Sequence, residues 1–207
     1  MMDRLRTGCG QPQQPSSQGK GKVRRVSTLR GVFEFLNPRP ALERPDLLAP
    51  SVLEAIRAHL PDVQVFEVDP AISDTAALCE AYGLPLDPMG NAVLVAGKRE
   101  GVERRACCLA LANRRVDVNN VVRKRLDVRK TSFMPMDEAV AASGMEYGAI
   151  TPVGLDGWPI WLDESVAAVP ELVIGSGVRR SKLILPGADL LKLPGAELVE
   201  GLTNPVG

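Results

Sequence analysis

Apolar and polar positions alternate along the chain with the two periods that mark helices and strands. Residues 51–60, SVLEAIRAHL, repeat apolar side chains at helical spacing, and Ser51 is placed to cap that helix. The segment SDTAALCEAYGL predicts a second helix, with Ser73 or Asp74 as its cap and Gly83 as its stop signal. Proline follows the first helix and ends it.

Strand-like alternation fills most of the remaining chain. VQVFEV and NAVLVAG are predicted strands, and the turn KREG joins the second of them to ERRACCLALA. Asp117 opens a basic helix, VNNVVRKRL, and Asp137 is expected to cap a short one, EAVAAS. Further strands are predicted at VRKTSF, WPIWL, ELVIGSG and SKLILP. Strands and helices alternate without regular βαβ spacing, which predicts an α/β (α+β) domain with a mixed sheet.

The N-terminal segment differs in composition from the rest. Residues 1–30 are rich in Gln, Ser, Gly, Pro and Arg, which predicts a disordered basic tail ahead of a single domain over residues 31–207. No apolar run approaches the ~18 residues of a membrane span. The four cysteines form no CxxC pair, and Cys107 and Cys108 should point to opposite faces of a strand. We therefore expect a cytoplasmic protein with reduced thiols and no membrane contact.

Net charge is zero but unevenly distributed. Residues 1–45 carry nine basic and three acidic side chains, and residues 98–130 carry eleven basic and four acidic ones. Two basic blocks of this kind can contact a polyanion such as a nucleic acid. They are equally compatible with a solvated face and a basic tail, so charge alone leaves both interpretations open.

Familiar catalytic constellations are missing from the sequence. His59 is the only histidine, which argues against a His-based metal site and against Ser–His or Cys–His catalysis. The motif GSGVRR lacks the third glycine of a dinucleotide fingerprint and precedes a strand instead of a helix. Asp163 follows a predicted strand, where its carboxylate can reach a site or start a turn. We expect neither a metal nor a cofactor.

The segment EYGAITPVGLDG, residues 146–157, is unusually apolar for a glycine-rich turn. Gly148 permits a positive φ or close approach to a ligand, because it has no Cβ. Thr151 is held extended by the following proline, and Pro152 fixes its own φ. Such a loop can present backbone N–H and C=O groups to a small ligand, or it can be a rigid connection between a helix and a strand.

The order of these segments resembles the YbaK/EbsC family, the free-standing relatives of the editing domain inserted in bacterial prolyl-tRNA synthetases. The resemblance covers roughly residues 60–200, and its most specific parts are the GxxxP loop from Gly148 to Pro152 and the glycines 175–177. It implies a compact, partly barrel-like mixed sheet of about seven strands with flanking helices. It also implies hydrolysis of the ester between a wrong amino acid and its tRNA, with backbone groups lining the aminoacyl pocket.

The resemblance also implies the site. Family members carry a lysine where this chain has Asn91, so the charge expected there is absent. Asn91, Gly148 and Asp163 are the implied catalytic positions. The aminoacyl group is expected to contact Gly148, Ala149, Ile150, Thr151, Pro152, Ser176 and Gly177. The tRNA is expected to contact Lys98, Arg99, Lys130, Arg179 and Arg180, and some of these cations are candidates to replace the missing lysine.

Three functional hypotheses follow, of which the third is a globular interaction protein whose basic blocks are incidental. The first is a deacylase that edits mischarged aminoacyl-tRNA in trans, with the 3′ end of a charged tRNA as its partner and an aminoacyl-tRNA synthetase as a further one. The second is a non-catalytic module of the same fold that binds a tRNA end or a nucleotide. Position 91 is where they diverge, because Asn91 can donate hydrogen bonds but has no charge.

Overall fold

The computed structural model describes residues 33–206, so the predicted tail at residues 1–30 lies outside the described part of the chain. Eleven strands and five α-helices follow one another between these limits. The helices are α1 (Pro50–His59), α2 (Thr75–Tyr82), α3 (Arg123–Arg125), α4 (Met136–Ser143) and α5 (Glu164–Ala167). The strands are β1 (Arg39–Pro40), β2 (Gln64–Glu67), β3 (Gly90–Arg99), β4 (Val102–Leu111), β5 (Arg114–Val116), β6 (Thr131–Phe133), β7 (Ile160–Asp163), β8 (Leu172–Gly175), β9 (Ser181–Leu185), β10 (Ala196–Val199) and β11 (Thr203–Pro205).

The largest sheet has five strands in the order β10-β7-β4-β3-β6. Strands β3 and β4 form a long antiparallel hairpin, whereas β7 runs parallel to both β4 and β10. The hairpin turn places Glu100 and Gly101 at φ values of 52° and 80°. Two successive positive φ values are the geometry that matches the twist of a tight hairpin, as the KREG segment predicts. The mixed sheet and the α/β (α+β) class are therefore confirmed.

Strand β4 runs through the middle of the hydrophobic core. Cys107 and Leu109 pack in the main cluster on one face, and Cys108 and Ala110 pack in a second cluster on the other. The alternation predicted for the adjacent cysteines is confirmed, and both thiols are buried and free. Burial raises the pKa of the Cys108 thiol to about 12, which keeps it protonated and unreactive at neutral pH.

A second sheet, ordered β1-β2-β9-β8, packs beside the first, and β5 pairs with β11 in a small third one. A parallel bridge between Met89 and Val173 joins the start of β3 to β8. The sheets do not close on themselves, so the expected barrel-like character holds only loosely. The count of about seven strands is also too low, because four short strands add to the predicted ones.

Capping was predicted correctly for two helices and wrongly for two others. Asp117 opens the helical segment that begins at Val118, because its carboxylate accepts a hydrogen bond from the Asn120 N–H. Asp74 caps α2 by accepting a hydrogen bond from the backbone of Ala76, and Gly83 ends the helix with a φ of 63°. Helix α1 instead begins one residue earlier than predicted, with Pro50 in its first turn and no side-chain cap, so Ser51 is inside the helix. Asp137 is likewise inside the first turn of α4, where its charge favours the positive end of the helix dipole.

No helix within residues 33–206 has both the length and the apolar character needed to cross a membrane.

Candidate active site

A pocket of about 490 Å³ opens where the two larger sheets meet. The first half of β3, the end of β6 and the beginning of α2 form one part of its wall, and residues 147–150 together with β8 and β9 form the other. This volume is within the range of small-molecule sites, roughly 300–1,000 Å³. Its lining residues are Asp74, Thr75, Gly90, Asn91, Ala92, Val93, Leu94, Phe133, Met134, Ala139, Tyr147, Gly148, Ile150, Gly175 and Lys182.

The loop at the pocket edge is held by backbone hydrogen bonds to the turn after β8. The Gly177 N–H donates to the Ala149 carbonyl at 2.9 Å, and the Glu146 N–H donates to the Gly177 carbonyl at 2.9 Å. Gly148 stands between these anchors with a φ of 81°, a conformation that only glycine adopts without strain. The loop therefore has a fixed shape before any ligand arrives.

Arg179 fastens the same loop from outside. Its guanidinium donates to the Tyr147 carbonyl at 3.2 Å and to the Pro70 carbonyl at 2.8 Å. Its backbone N–H donates to the Glu146 carboxylate at 2.5 Å. A Cβ on Gly148 would lie 2.6 Å from the Arg179 guanidinium, the far end of a flexible side chain that can move aside, so it is the φ of 81° that requires glycine here. Arg179 thus stabilises the loop through its hydrogen bonds to the backbone.

Lys182 is a pocket residue that was not among the predicted site residues. It is 5% exposed on β9, and its ammonium is 3.5 Å from the Gly148 carbonyl. Burial lowers the pKa of Lys182 to about 8, an effect that nearby Arg179 adds to and nearby Asp74 opposes. In the sequence, the run Arg179, Arg180, Lys182 is compatible with a phosphate contact or with a hairpin turn whose cations are solvated. Strand pairing turns Lys182 inward.

Asn91 lines the same pocket from β3 but is exposed. Its side-chain oxygen accepts a hydrogen bond from the Thr75 hydroxyl at 2.8 Å. Thr75 is the first residue of α2, and Asp74 before it caps that helix. A polar group of three side chains, two of them neutral, therefore stands on this side of the pocket, where the Asp74 carboxylate occupies the positive end of the α2 dipole.

The structure brings only part of the predicted substrate-binding set to the pocket surface. Gly148 and Ile150 line it, whereas Ala149, Thr151 and Pro152 are buried behind them. The last two members, Ser176 and Gly177, are also buried and support the loop and the chain before α1. The Ser176 hydroxyl contacts Ser181 at 2.7 Å, and the Ala49 N–H donates to the Ser176 carbonyl at 3.2 Å.

Asp163 is not part of this pocket. It caps α5 by accepting from the Ser165 N–H at 3.1 Å, and its other oxygen accepts from the Thr203 hydroxyl at 2.7 Å. Arg114 lies 3.5 Å from the same carboxylate. A buried carboxylate with these partners joins β7, α5 and β11, and this geometry gives Asp163 a structural role in place of the catalytic one expected.

The predicted tRNA-binding cations divide by position. Lys98, on β3, and Lys130, just before β6, are both exposed. They lie next to Gly97 and Thr131, which are paired across the two strands. Arg99 pairs with Asp127 near them. Arg180 donates to the Asp46 carbonyl, on the other side of the pocket loop. Lys98 and Lys130 are therefore the members of the set with side chains open to a partner.

Lys182→Met should raise the free energy of unfolding by on the order of 2 kcal/mol at pH 7. The amine binds its proton more weakly in the folded chain, with a pKa of about 8, than in the unfolded chain, near 10.5, so its charge destabilises the fold below pH 8. Between pH 8 and pH 10.5 Lys182 is protonated only in the unfolded chain, so the stability difference between Lys182→Met and the parent should shrink as the pH rises. Urea denaturation at pH 7 and pH 10 measures this.

Lys192, which is exposed and pairs with Asp189, provides the matched control. Lys192→Met should change stability little, and the same way at both pH values. A stability gain for Lys182→Met that does not depend on pH would contradict the assignment of a buried charge.

Comparison with known families decides the class of protein. The profile of the aminoacyl-tRNA editing domain matches residues 69–193, which is more than half of the chain and includes every lining residue of the pocket. The chain belongs to the aminoacyl-tRNA editing domain family. The resemblance drawn from the sequence is thereby confirmed. A search among curated proteins found no match.

Solved structures of the same shape support the fold. A protein proposed to be a trans-editing enzyme for prolyl-tRNA synthetase is 20% identical, with a TM-score of 0.62, and the match covers 74% of this chain and 97% of that one. A hypothetical protein is 15% identical with a TM-score of 0.65, over 74% of this chain and 99% of the other. A third, from work on epitope grafting onto scaffolds, is 19% identical with a TM-score of 0.63, over 73% and 95%. At these identities the likeness establishes the fold.

Within residues 33–206 no group of three or more His, Cys, Asp or Glu side chains is placed to hold a metal ion.

Proposed function

We propose that this protein hydrolyses the ester bond of mischarged aminoacyl-tRNA in trans. The observation that carries the proposal is the pocket itself, which the editing-domain profile spans and which a preformed backbone loop borders. The Gly148 carbonyl and the Lys182 ammonium meet at its wall, 3.5 Å apart. An acceptor and a cationic donor in one pocket can bind the amino group and an ester or phosphate oxygen of a charged tRNA end.

The pocket walls differ in polarity. Asp74, Thr75, Asn91 and Lys182 supply polar groups near the start of α2 and β9. The remaining wall is mostly apolar and includes the side chains of Ala92, Val93, Leu94, Met134, Ala139 and Ile150. An aminoacyl side chain placed against this wall would bury carbon without leaving polar groups unpaired, so we propose that the edited amino acid has a small, uncharged side chain.

The chemistry required is modest, because an aminoacyl ester is activated. A water attacks the ester carbonyl carbon, the bond to the ribose oxygen breaks, and that oxygen takes a proton from the water. We propose that the protein's contribution is to position water and ester and to donate hydrogen bonds to the developing charge, a role that fits a site of backbone groups.

The tRNA would approach over β6. Phe133, at the pocket, is 54% exposed, and Lys130 precedes it by three residues, about 10 Å along an extended chain. Lys98 lies beside Lys130 on the neighbouring strand. An exposed aromatic ring can stack on a base at the mouth of the pocket while the lysines contact phosphates. We propose this face for the 3′ end of the tRNA.

A second candidate is a binding module that holds a tRNA end or a nucleotide without hydrolysing it. Asn91 favours it, because an uncharged side chain stands where the family resemblance implies a lysine. The preformed loop and the polar group around Thr75 would then serve recognition alone. The two candidates share a pocket and differ only in turnover.

Incubation with a panel of mischarged tRNAs, including Ala-, Ser-, Cys- and Pro-tRNA, should show deacylation of at least one species about 100-fold or more above the spontaneous rate. Release of labelled amino acid measures the rate, and correctly charged tRNA of the same sequence is the control. Binding of an aminoacyl-tRNA without any acceleration would favour the binding module. Neither binding nor hydrolysis across the panel would contradict both.

A further inference from the structure

Lys182 stands out among the cations of residues 33–206, because it alone of their lysines and arginines is buried. It lies at the centre of the four-stranded sheet, paired with Phe66 on one side and Gly175 on the other. All five residues of β9 are buried. An apolar side chain would stabilise the fold more at this position, since burying a cation is destabilising unless it is paired.

Its protein partners offset little of that cost. Among residues 33–206 the ammonium has one hydrogen-bond acceptor, the Gly148 carbonyl at a long 3.5 Å, and no carboxylate within salt-bridge distance. Asp74 favours its charge from the α2 cap, and Arg179 opposes it. An ammonium has three protons to donate, and the ones left over face the pocket that Lys182 lines. Packing does not explain such a residue, whereas an anionic ligand does.

We propose that Lys182 is the catalytic cation of this pocket and binds an oxygen that carries negative charge at the aminoacylated end of the tRNA. The proposal rests on the deacylase function proposed above. It assigns to β9 the charge that Asn91 on β3 does not provide. The oxygen is either that of the terminal phosphate, charged throughout, or that of the ester carbonyl, which gains charge as the reaction proceeds.

In the second case Lys182 acts in the reaction itself. As the water oxygen bonds to the carbonyl carbon, the carbonyl π electrons move onto its oxygen, and the ammonium donates a hydrogen bond to that oxyanion. When the carbonyl re-forms, the ribose C–O bond breaks and the proton from the water passes to the ribose oxygen. Lys182 keeps its proton throughout. The Gly148 carbonyl holds the ammonium at the loop that borders the substrate.

Lys182→Met tests the proposal, because methionine matches the length of the buried stem without its charge. With the tRNA that the panel identifies, kcat/KM should fall about 100-fold, the typical loss for one oxyanion donor, while the melting temperature stays level or rises. Lys192→Met is the control and should keep the parent rate. If kcat falls, Lys182 binds the ester carbonyl oxygen. If KM rises and the affinity for AMP, measured by calorimetry, is about ten-fold weaker, Lys182 binds the terminal phosphate.

The pH dependence of kcat/KM distinguishes an effect of the Lys182 charge from a purely structural effect of the substitution. The ratio of kcat/KM between parent and Lys182→Met should be largest below pH 8 and fall above it, as Lys182 loses its proton in the field of Asp74 and Arg179. An active parent whose Lys182→Met variant retains both hydrolysis and AMP binding overturns the role of Lys182 alone. If the parent protein hydrolyses nothing in the panel, the proposed deacylase function is overturned. In that case, AMP binding that is weakened in Lys182→Met would still support Lys182 as the cation of the pocket. AMP binding that is unchanged in the variant would overturn this role of Lys182 too.

Discussion

Gly148→Val should lower the proposed deacylation activity about 100-fold while the protein still folds. A β-branched residue at the φ of 81° found here costs about 1–3 kcal/mol, so the loop would leave this conformation. Its Cβ would also lie 2.6 Å from the Arg179 guanidinium, which fastens the loop through the Tyr147 carbonyl. Displacing the loop moves the backbone that borders the pocket, and a shift of about 1 Å in a catalytic site is enough for a ~100-fold loss.

Gly101→Val controls for backbone strain. Gly101 has a φ of 80°, almost the same as Gly148, and a Cβ there would meet nothing within 4 Å. It lies at the turn of the hairpin and does not line the pocket. Both variants should lose similar stability in thermal melts, but only Gly148→Val should lose deacylation. If the two variants had equal activity, the hypothesis that this loop forms part of the active site would be wrong.

The sequence was sufficient to predict elements whose ends are set by interactions between residues close together in the chain. Asp74 and Gly83 bracket α2 because a cap and a left-handed stop act over a few residues. The short strands were missed for the opposite reason. Strand β10 has only four residues, most of them not buried, and exists because it pairs in parallel with β7, more than thirty residues away. Alternation over so few residues cannot reveal a distant partner.

The same division explains the site. Gly148 and Pro152 attract notice in the sequence because a left-handed glycine and a rigid proline have local consequences. Lys182 does not, since the neighbouring Arg179 and Arg180 suggest a basic turn, and only pairing with β2 and β8 buries this one side chain. Asp163 was expected at the site because it ends a predicted strand. Its hydrogen-bond partner Thr203 lies forty residues further on, so the sequence around Asp163 does not reveal this contact.

Tertiary contact also decides which residues stand behind the loop. Ser176 and Gly177 were expected to touch the substrate, as part of a glycine-bearing strand end. The structure shows that Gly175 lines the pocket instead, whereas the next two residues face the loop and α1. A Cβ on Gly177 would lie 2.4 Å from that of Ala49, at the start of α1. Gly177 is thus needed for close packing against side chains at the start of α1, and Gly175 for close approach to the backbone of the pocket loop, a requirement that sequence spacing does not specify.

This packing leads to the second large effect, which we expect for Gly175→Ala. A Cβ at Gly175 would lie 2.3 Å from the Ala149 carbonyl oxygen and 2.8 Å from that of Ile150. Both are backbone atoms of the pocket loop, and the first already accepts a hydrogen bond from Gly177. They cannot rotate away as a side chain does, so the loop as a whole must move. We expect a loss of about 1–3 kcal/mol in stability and about 100-fold in kcat/KM.

Gly90→Ala is the matched comparison, because Gly90 lines the same pocket and is also on a strand. There the added Cβ would come closest to a side chain, 2.9 Å from the Cγ2 of Ile174. That methyl group can shift by a few tenths of an ångström without moving backbone, so the losses should be smaller in both measurements. Urea denaturation and deacylation kinetics for the two variants test this ordering. If Gly175→Ala kept parental kinetics, the contact between β8 and the loop would not set the shape of the pocket.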